Sequence, residues 1–210
     1  MRYYISDLHF YHESLLDKMD QRGFPTCEAM HECIIKKWNA KVRQQDEVII
    51  LGDVSMERGK KTSEILAGLN GRLSLIVGNH DNYLNDRHFE SSRFEWIKPY
   101  AELRDNKRKI VLSHYPVFCY NGQYRRDKEG IPKTYMLYGH VHDTQDERLV
   151  DRFIQETEKT YHRSPGSEET LPIPCQMINC FCMFSDYTPL SLEEWIEVDK
   201  KRREKMRREQ

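Results

Sequence analysis

The chain has 210 residues, 38% of them hydrophobic, enough for one well-buried α/β core and too few for two ordinary domains. Lys plus Arg number 33 against 34 Asp plus Glu, a net charge of -1, so no global basic field advertises nucleic acid. No apolar run approaches the length of a membrane span, and the six cysteines show no C-x-x-C spacing that would signal zinc or redox chemistry.

The first predicted strand is Arg2-Tyr3-Tyr4-Ile5, which leaves no room for a signal peptide and sets the expectation of a cytoplasmic protein with reduced thiols. It runs directly into Ser6-Asp7-Leu8-His9. Thr26 is placed to cap a helix over Cys27 to Lys41, in which Met30, Cys33, Ile34 and Trp38 recur on one face. Val48-Ile49-Ile50-Leu51 reads as a buried strand ending on Gly52-Asp53. A short helix over Lys61 to Leu69, stopped at Asn70-Gly71, leads into a strand over Leu73 to Val77 and then Gly78-Asn79-His80-Asp81. This alternation of strand, helix and strand implies a sheet with parallel segments.

The apolar run Ile110-Val111-Leu112 precedes Ser113-His114. The polar, aromatic and basic stretch from Cys119 to Thr134, with Asn121-Gly122 and Gly130, reads as a loop beside the site that His114 serves. Tyr135 to Tyr138 is the next strand and ends on Gly139-His140-Val141-His142. Leu149, Val150, Phe153, Ile154 and Tyr161 give Asp146 to Tyr161 a helical pattern, followed by a Pro- and Gly-punctuated loop through Pro174. Gln176 to Phe184 reads as a late strand, with Cys180 and Cys182 alternating onto one layer as small buried hydrophobes. Ser191 to Glu194 fits a capping box. The charged run Lys200 to Glu209 reads as a solvated, fraying helix end, dividing the chain into one domain over 1–199 and a tail over 200–210.

Asp7, His9, Asp53, Asn79, His114, His140 and His142 all follow predicted strands, and loops at the carboxyl ends of neighbouring strands converge on one crevice. Imidazole, carboxylate and amide oxygen together suit borderline to hard divalent ions. Gly52, Gly78 and Gly139 each precede a ligand where the chain turns and a Cβ would crowd the site.

In order, the segments are Asp7-Leu8-His9, Gly52-Asp53, Gly78-Asn79-His80-Asp81, His114 and Gly139-His140-Val141-His142. This series resembles the calcineurin-like metallophosphoesterase superfamily, in its small single-domain form, with its D-x-H, G-D, G-N-H-[DE], lone His and G-H-x-H signature. The resemblance covers residues 1 to about 142 at the motifs and the closing strands to about 190. It implies an α/β fold, a four-layer αββα sandwich of two mixed sheets flanked by helices. It also implies two divalent ions, manganese foremost, with iron, zinc, cobalt or nickel as alternatives. Asp53 would bridge them, with Asp7, His9 and His142 completing one shell and Asn79, His114 and His140 the other. Such ions lie roughly 3.5 to 4 Å apart and clamp the phosphoryl oxygens and a nucleophilic hydroxide.

The same resemblance puts His80 against the scissile phosphate as a general acid, with Asp81 beside it. Many relatives extend G-D to G-D-x-x-D, whose second Asp orients that histidine. Met56 holds the position here, leaving Asp81, Glu57 or a backbone carbonyl to do so. His12 shares the loop of Asp7 and His9 and is a candidate substrate contact. Tyr115, Tyr120, Tyr124, Arg125 and Arg126 form a candidate specificity element, since aromatics stack on bases and Arg pairs with phosphate. His31 and His162 fall on predicted helices and read as ordinary surface or half-buried residues. The implied activity is hydrolysis of a small or nucleotide-type phosphodiester. A phosphomonoesterase or nuclease of the superfamily is the alternative, nucleic acid being a less favoured partner than a small phosphoester. A protein-binding scaffold of the same fold is the non-enzymatic alternative, argued against by the complete ligand set and His80. No membrane partner is expected, and the oligomeric state stays open.

Overall fold

The computed structural model describes residues 1–163 and 168–208. In chain order its elements are β1 (Arg2–Ile5), α1 (Ser14–Asp17), α2 (Cys27–Lys41), β2 (Glu47–Ile50), α3 (Gly59–Ala67), β3 (Arg72–Ile76), β4 (Phe94–Lys98), β5 (Tyr100–Asp105), β6 (Arg108–Ser113) and β7 (Thr134–Tyr138). Then come α4 (Gln145–Lys159), β8 (Tyr161–Arg163), β9 (Thr170–Pro172), β10 (Met177–Asn179) and α5 (Leu192–Arg208). One sheet has the order β1-β2-β3-β4 with every pair parallel. The second has the order β10-β7-β6-β5, parallel except where β5 runs against β6, and β8 and β9 form a separate antiparallel hairpin.

The period-2 alternation of the strands decides the layering. Tyr3, Ile5, Val48, Ile50, Leu73 and Leu75 pack beneath α2 and α3 with Met30, Ile34, Trp38, Ile65 and Leu66. Their neighbours Tyr4, Ile49, Leu51 and Ile76 face the other sheet, meeting Ile110, Leu112, Tyr135, Leu137 and Ile178 with Leu192 and Trp195 of α5. The far face of that sheet, Val111, Met136, Tyr138 and Met177, is covered by Val150 and Ile154 of α4. The result is the expected αββα sandwich. Full burial of each such aliphatic side chain contributes about 1.5–3 kcal/mol, so this double-sided core is what holds the strand ends in register.

Local chemistry explains where α2 and α5 begin. The Thr26 hydroxyl accepts from the Ala29 N–H at 3.2 Å and starts α2. Glu194 accepts from the Ser191 N–H at 2.8 Å while its own N–H reaches Ser191 Oγ at 3.4 Å, the reciprocal pair of a capping box. The β1 and β10 ends of the two sheets are stitched together, Ser6 N–H donating to the Cys180 carbonyl at 2.8 Å and Cys182 N–H to the Ser6 carbonyl at 3.1 Å.

Several expectations need correction. The short helix starts and ends two residues earlier than expected, at Gly59 and Ala67, and Gly71 serves instead in the turn into β3. The late strand closes at Asn179, because the chain leaves sheet pairing to join Ser6 and then coils through a 3-10 turn over Cys182–Ser185. Cys180 and Cys182 therefore fall in different packing layers. The stretch expected as a loop after α4 contains the β8–β9 hairpin, with residues 164–167 outside the described part. The charged end is helical to Arg208, the last described residue, and Lys200, Lys201, Glu204, Lys205, Arg207 and Arg208 are exposed, but Arg202 and Arg203 are largely buried against Glu147 and Asp151 of α4 and against Asp199.

Candidate metal centre

Each sheet delivers its motif loops to one end of the sandwich. Asp7 and His9 leave β1, Asp53 follows β2, Asn79 and His80 follow β3, His114 follows β6, and His140 and His142 follow β7. Asp7, His9, Asp53, His140 and His142 have φ between 47° and 69°, the left-handed region that side chains seldom enter. Such strain persists where surroundings over-determine it, and it clusters at functional sites. Two glycines make the close approach possible. Gly52 has φ 91°, and a Cβ there would lie 2.8 Å from the Gly78 Cα and strike the His114 ring. A Cβ on Gly139 would lie 2.5 Å from Asp7 Oδ2.

The donors fall into two groups. Asp7, His9 and His142, all buried, form one, and Asp53, His114 and His140 form the other, with the candidate atoms of each group within 4.8 Å of one another. His9 Nε2 lies 3.2 Å from His142 Nε2, and His142 Nε2 lies 3.6 Å from Asp7 Oδ1. Asp53 joins the groups: its Oδ2 is 3.5 Å from His9 Nε2 and 3.4 Å from His114 Nε2. The Asn79 amide oxygen sits 2.9 Å from His114 Nε2 and 2.8 Å from His140 Nδ1. Ring nitrogens facing one another across buried carboxylates are what cations would satisfy, so the residues fit a pair of divalent ions.

Backbone and carboxylate partners fix how each donor faces inward. The His80 N–H donates to Asp53 Oδ1 at 2.8 Å, which leaves Oδ2 turned to the centre. The His140 N–H donates to the Asp7 carboxylate at 3.0 Å. His114 gives its Nδ1 proton to the Leu51 carbonyl at 2.8 Å, presenting Nε2. His142 gives Nδ1–H to Asp20 Oδ1 at 2.7 Å. Burial opposes charge on both of these rings, but the Asp53 carboxylate for His114, and those of Asp20 and Asp7 for His142, outweigh it and hold each pKa up at about 9. His9 lacks such a dominant partner, and burial pushes it down to about 3, leaving it neutral. Burial acts against ionised Asp7 and Asp53 too, yet the surrounding histidines pull both below the ordinary carboxylate range.

The remaining expected residues divide. His80 is half-buried with its ring 5.4 Å from that of His9, and His12 lies on the same side, 5.2 Å from His9 and 6.2 Å from His80. Tyr115 is 48% exposed and rests edge-on against His140 at 4.4 Å, so it borders the centre. Asp81 does something other than orient His80. It is buried, and its carboxylate accepts from Gly78 N–H at 2.7 Å, Val54 N–H at 2.8 Å and Asp53 N–H at 3.1 Å. It thus clips the turn after β3 to the turn after β2. Burial raises its pKa, with those donors opposing. Glu57 pairs with Lys61 at 3.0 Å.

The basic loop is not at the centre. Arg125 accepts at its carbonyl from Lys133 N–H, and the Lys133 carbonyl accepts from Lys109 N–H, both at 2.9 Å. That is the amino-terminal end of β6, five residues or roughly 16 Å of strand from His114. Arg126 is spent on the Gly130 and Pro172 carbonyls at 2.8 Å each, anchoring the loop to β9. Tyr120 is buried and accepts from Gln176 N–H at 2.7 Å, and Tyr124 packs on His162 at 4.7 Å. His162 lies in β8 rather than on a helix. His31 is buried in α2, its Nε2 accepting the Tyr11 N–H at 2.9 Å.

Two residues at the centre escaped the sequence reading. Asp20 backs His142, and buried Arg22 donates to the Asp20 carboxylate at 3.0 Å, to the Leu8 carbonyl at 2.7 Å and to the Asp7 carbonyl at 2.9 Å. They sit in Met19-Asp20-Gln21-Arg22-Gly23, a polar stretch without periodicity whose Asp-x-Arg spacing is the only cue.

No helix among the described residues is long and apolar enough to cross a membrane. The chain is 34% identical to an uncharacterized protein of Methanocaldococcus jannaschii over 142 residues, 67% of this chain and 68% of that one. It is 30% identical to the gene 66 protein of Mycobacterium phage D29 over 166 residues, 67% of this chain and 77% of that one. A protein of unknown function from Aquifex aeolicus has a similar fold, with TM-score 0.57 and 22% identity over 94% of this chain and 98% of that one. The model of the calcineurin-like phosphoesterase superfamily domain matches residues 3–172, and the chain belongs to that superfamily.

Proposed function

We propose that the protein is a phosphodiesterase that works with two divalent ions on a small or nucleotide-type substrate. The observation that carries this reading is Asp53 Oδ2 standing within 3.5 Å of a ring nitrogen from each donor group. Asp7, His9 and His142 would hold one ion and Asn79, His114 and His140 the other, with Asp53 shared and manganese the first ion to test. Bound there, such ions supply Lewis acidity to phosphoryl oxygens and lower the pKa of water.

The protein's own groups do the rest. Asp53 keeps one oxygen inward because the other is tied to the His80 N–H. His80 stands beside the His9 ring outside both donor groups, where it gives a proton to the leaving oxygen. Among the described contacts its ring meets no carboxylate, and Met56, 41% exposed, stands where relatives carry the orienting Asp. A less firmly held acid serves best where the leaving group needs little protonation, which favours activated diesters. Exposed Tyr115 on His140 offers a face for the second ester group.

The test compares bis-p-nitrophenyl phosphate with p-nitrophenyl phosphate in manganese, so that the leaving group is constant. Higher kcat/KM is expected for the diester. On a diester with a poor leaving group, whose oxygen needs the proton, His80→Ala should lower turnover by on the order of 100- to 10,000-fold with metal content unchanged, as for other acid-base groups. Marked preference for the monoester would move the assignment to phosphatase, and absence of divalent ion uptake would overturn the site.

A further inference from the structure

We infer that Asp20 is a positioning residue for the metal group of Asp7, His9 and His142, acting through the His142 ring and locked in place by Arg22; this rests on reading the centre as a two-ion site. The His142 ring has two nitrogens with separate tasks. Nδ1–H donates to Asp20 Oδ1 at 2.7 Å, so Nε2, which faces His9 Nε2 at 3.2 Å, is the nitrogen left for an ion. Phe181 stacks on the ring at 4.5 Å and 15°, removing the freedom to tilt. A carboxylate behind a ligating imidazole fixes its tautomer and raises its basicity.

Asp20 is itself held. Its second oxygen accepts from Arg22 Nε at 3.1 Å and Nη2 at 3.0 Å. The Arg22 side chain is fully buried, and its other bonds go to the Asp7 and Leu8 carbonyls and to Met30 Sδ. One guanidinium therefore couples the backbone that sets Asp7 to the carboxylate that sets His142. Among the described residues the other group has no counterpart: His114 is backed by the neutral Leu51 carbonyl, and His140 turns its Nδ1 to Asn79. Asp20 thus makes the two groups unequal, the carboxylate-backed one being the stronger.

The experiment titrates metal-free protein with Mn²⁺ by calorimetry, alongside circular dichroism to confirm the fold. In a His140→Ala background, where the Asp7 group is left intact, Asp20→Ala should weaken uptake by about 10- to 100-fold, and in a His9→Ala background by less than about threefold. Asp20→Asn keeps the volume and one acceptor for Nδ1–H, so its loss should be smaller and confined to the same group. Equal losses in both backgrounds, or none in either, would overturn the positioning role while leaving the two-ion reading intact. Failure of the unsubstituted protein to bind Mn²⁺ at all would overturn both.

Discussion

Replacing Asp81 separates a structural clip from a catalytic partner of His80. Its carboxylate accepts three N–H groups, from Gly78, Val54 and Asp53, at 2.7 to 3.1 Å, in a position 4% exposed. A hydrogen bond to a charged group contributes about 1.5–3 kcal/mol net, so three at the lower figure sum to about 4.5 kcal/mol. Removing the carboxylate also relieves its own burial cost, visible in the raised pKa. Taking off about 1 kcal/mol for that leaves about 3–4 kcal/mol for Asp81→Ala. In Asp81→Asn the amide oxygen can keep the Gly78 and Asp53 bonds while its NH2 opposes the Val54 N–H, at a cost of about 1–2 kcal/mol.

Urea unfolding of the metal-free protein, followed by the fluorescence of buried Trp38 and Trp195, reads this directly. The alanine variant should shift the midpoint down by about 1–2 M at unchanged slope, the asparagine variant by about half as much. Metal content should fall in step, because the clip holds the peptide of Asp53. An Asp81→Asn protein with a wild-type midpoint and lost turnover would refute the clip and return Asp81 to the side of His80.

The raised pKa values of His114 and His142, about 9 each against 6.5, give the metal-free protein stability that is fully present below pH 6.5 and lost as pH rises through about 9. Thermal melts from pH 6.5 to 9 should therefore fall, and manganese uptake near pH 7.5 should release about two protons, measurable by calorimetry in buffers of different ionisation heat. Glu147→Ala removes one buried partner of Arg202 but leaves both guanidiniums paired with Asp199 and Arg203 with Asp151, so it should cost about 1–3 kcal/mol in urea unfolding, less than an unpaired buried charge would. Arg125→Ala, at the far end of β6, should leave KM for nucleotide diesters within about twofold, since distant sites act independently. A tenfold rise would mean that the loop reaches the substrate.

The donors were legible in the sequence because each ends a strand, and strand ends in this topology share one crevice. Thr26, Ser191 and Glu194 were legible because capping is local chemistry. What failed was judgement of distance within a loop. The stretch after His114 begins at the centre, but it turns back along β6, so Tyr115 borders His140 while Arg125 lies beside Lys133. Composition marks such a segment as a loop and gives no hint of its course. The charged end misled for a related reason: Arg202 and Arg203 look solvated until α4 brings Glu147 and Asp151 against them.

Asp20 and Arg22 show why the least legible residues are those that hold the geometry of the candidate centre. Left-handed backbone at Asp7, His9, Asp53, His140 and His142 costs on the order of 1 kcal/mol or more at each residue, and no motif offsets that by itself. The offset comes from contacts between motifs and from residues outside them. Arg22 grips the carbonyls of Asp7 and Leu8, Asn79 draws His114 and His140 together, Asp81 ties the Asp53 and Gly78 turns, and Asn179 donates to the His142 carbonyl at 2.9 Å. Asn179 in turn donates to Glu147 at 3.0 Å, the carboxylate that Arg202 of α5 neutralises. The strained candidate ligand His142 is thus braced through a chain of polar contacts that ends in the last helix. Donor identity is written in short motifs, but donor geometry depends on contacts between distant residues, such as Asp7 and His140, 133 positions apart, and Asp20 and His142, 122 positions apart, and only the folded chain brings them together.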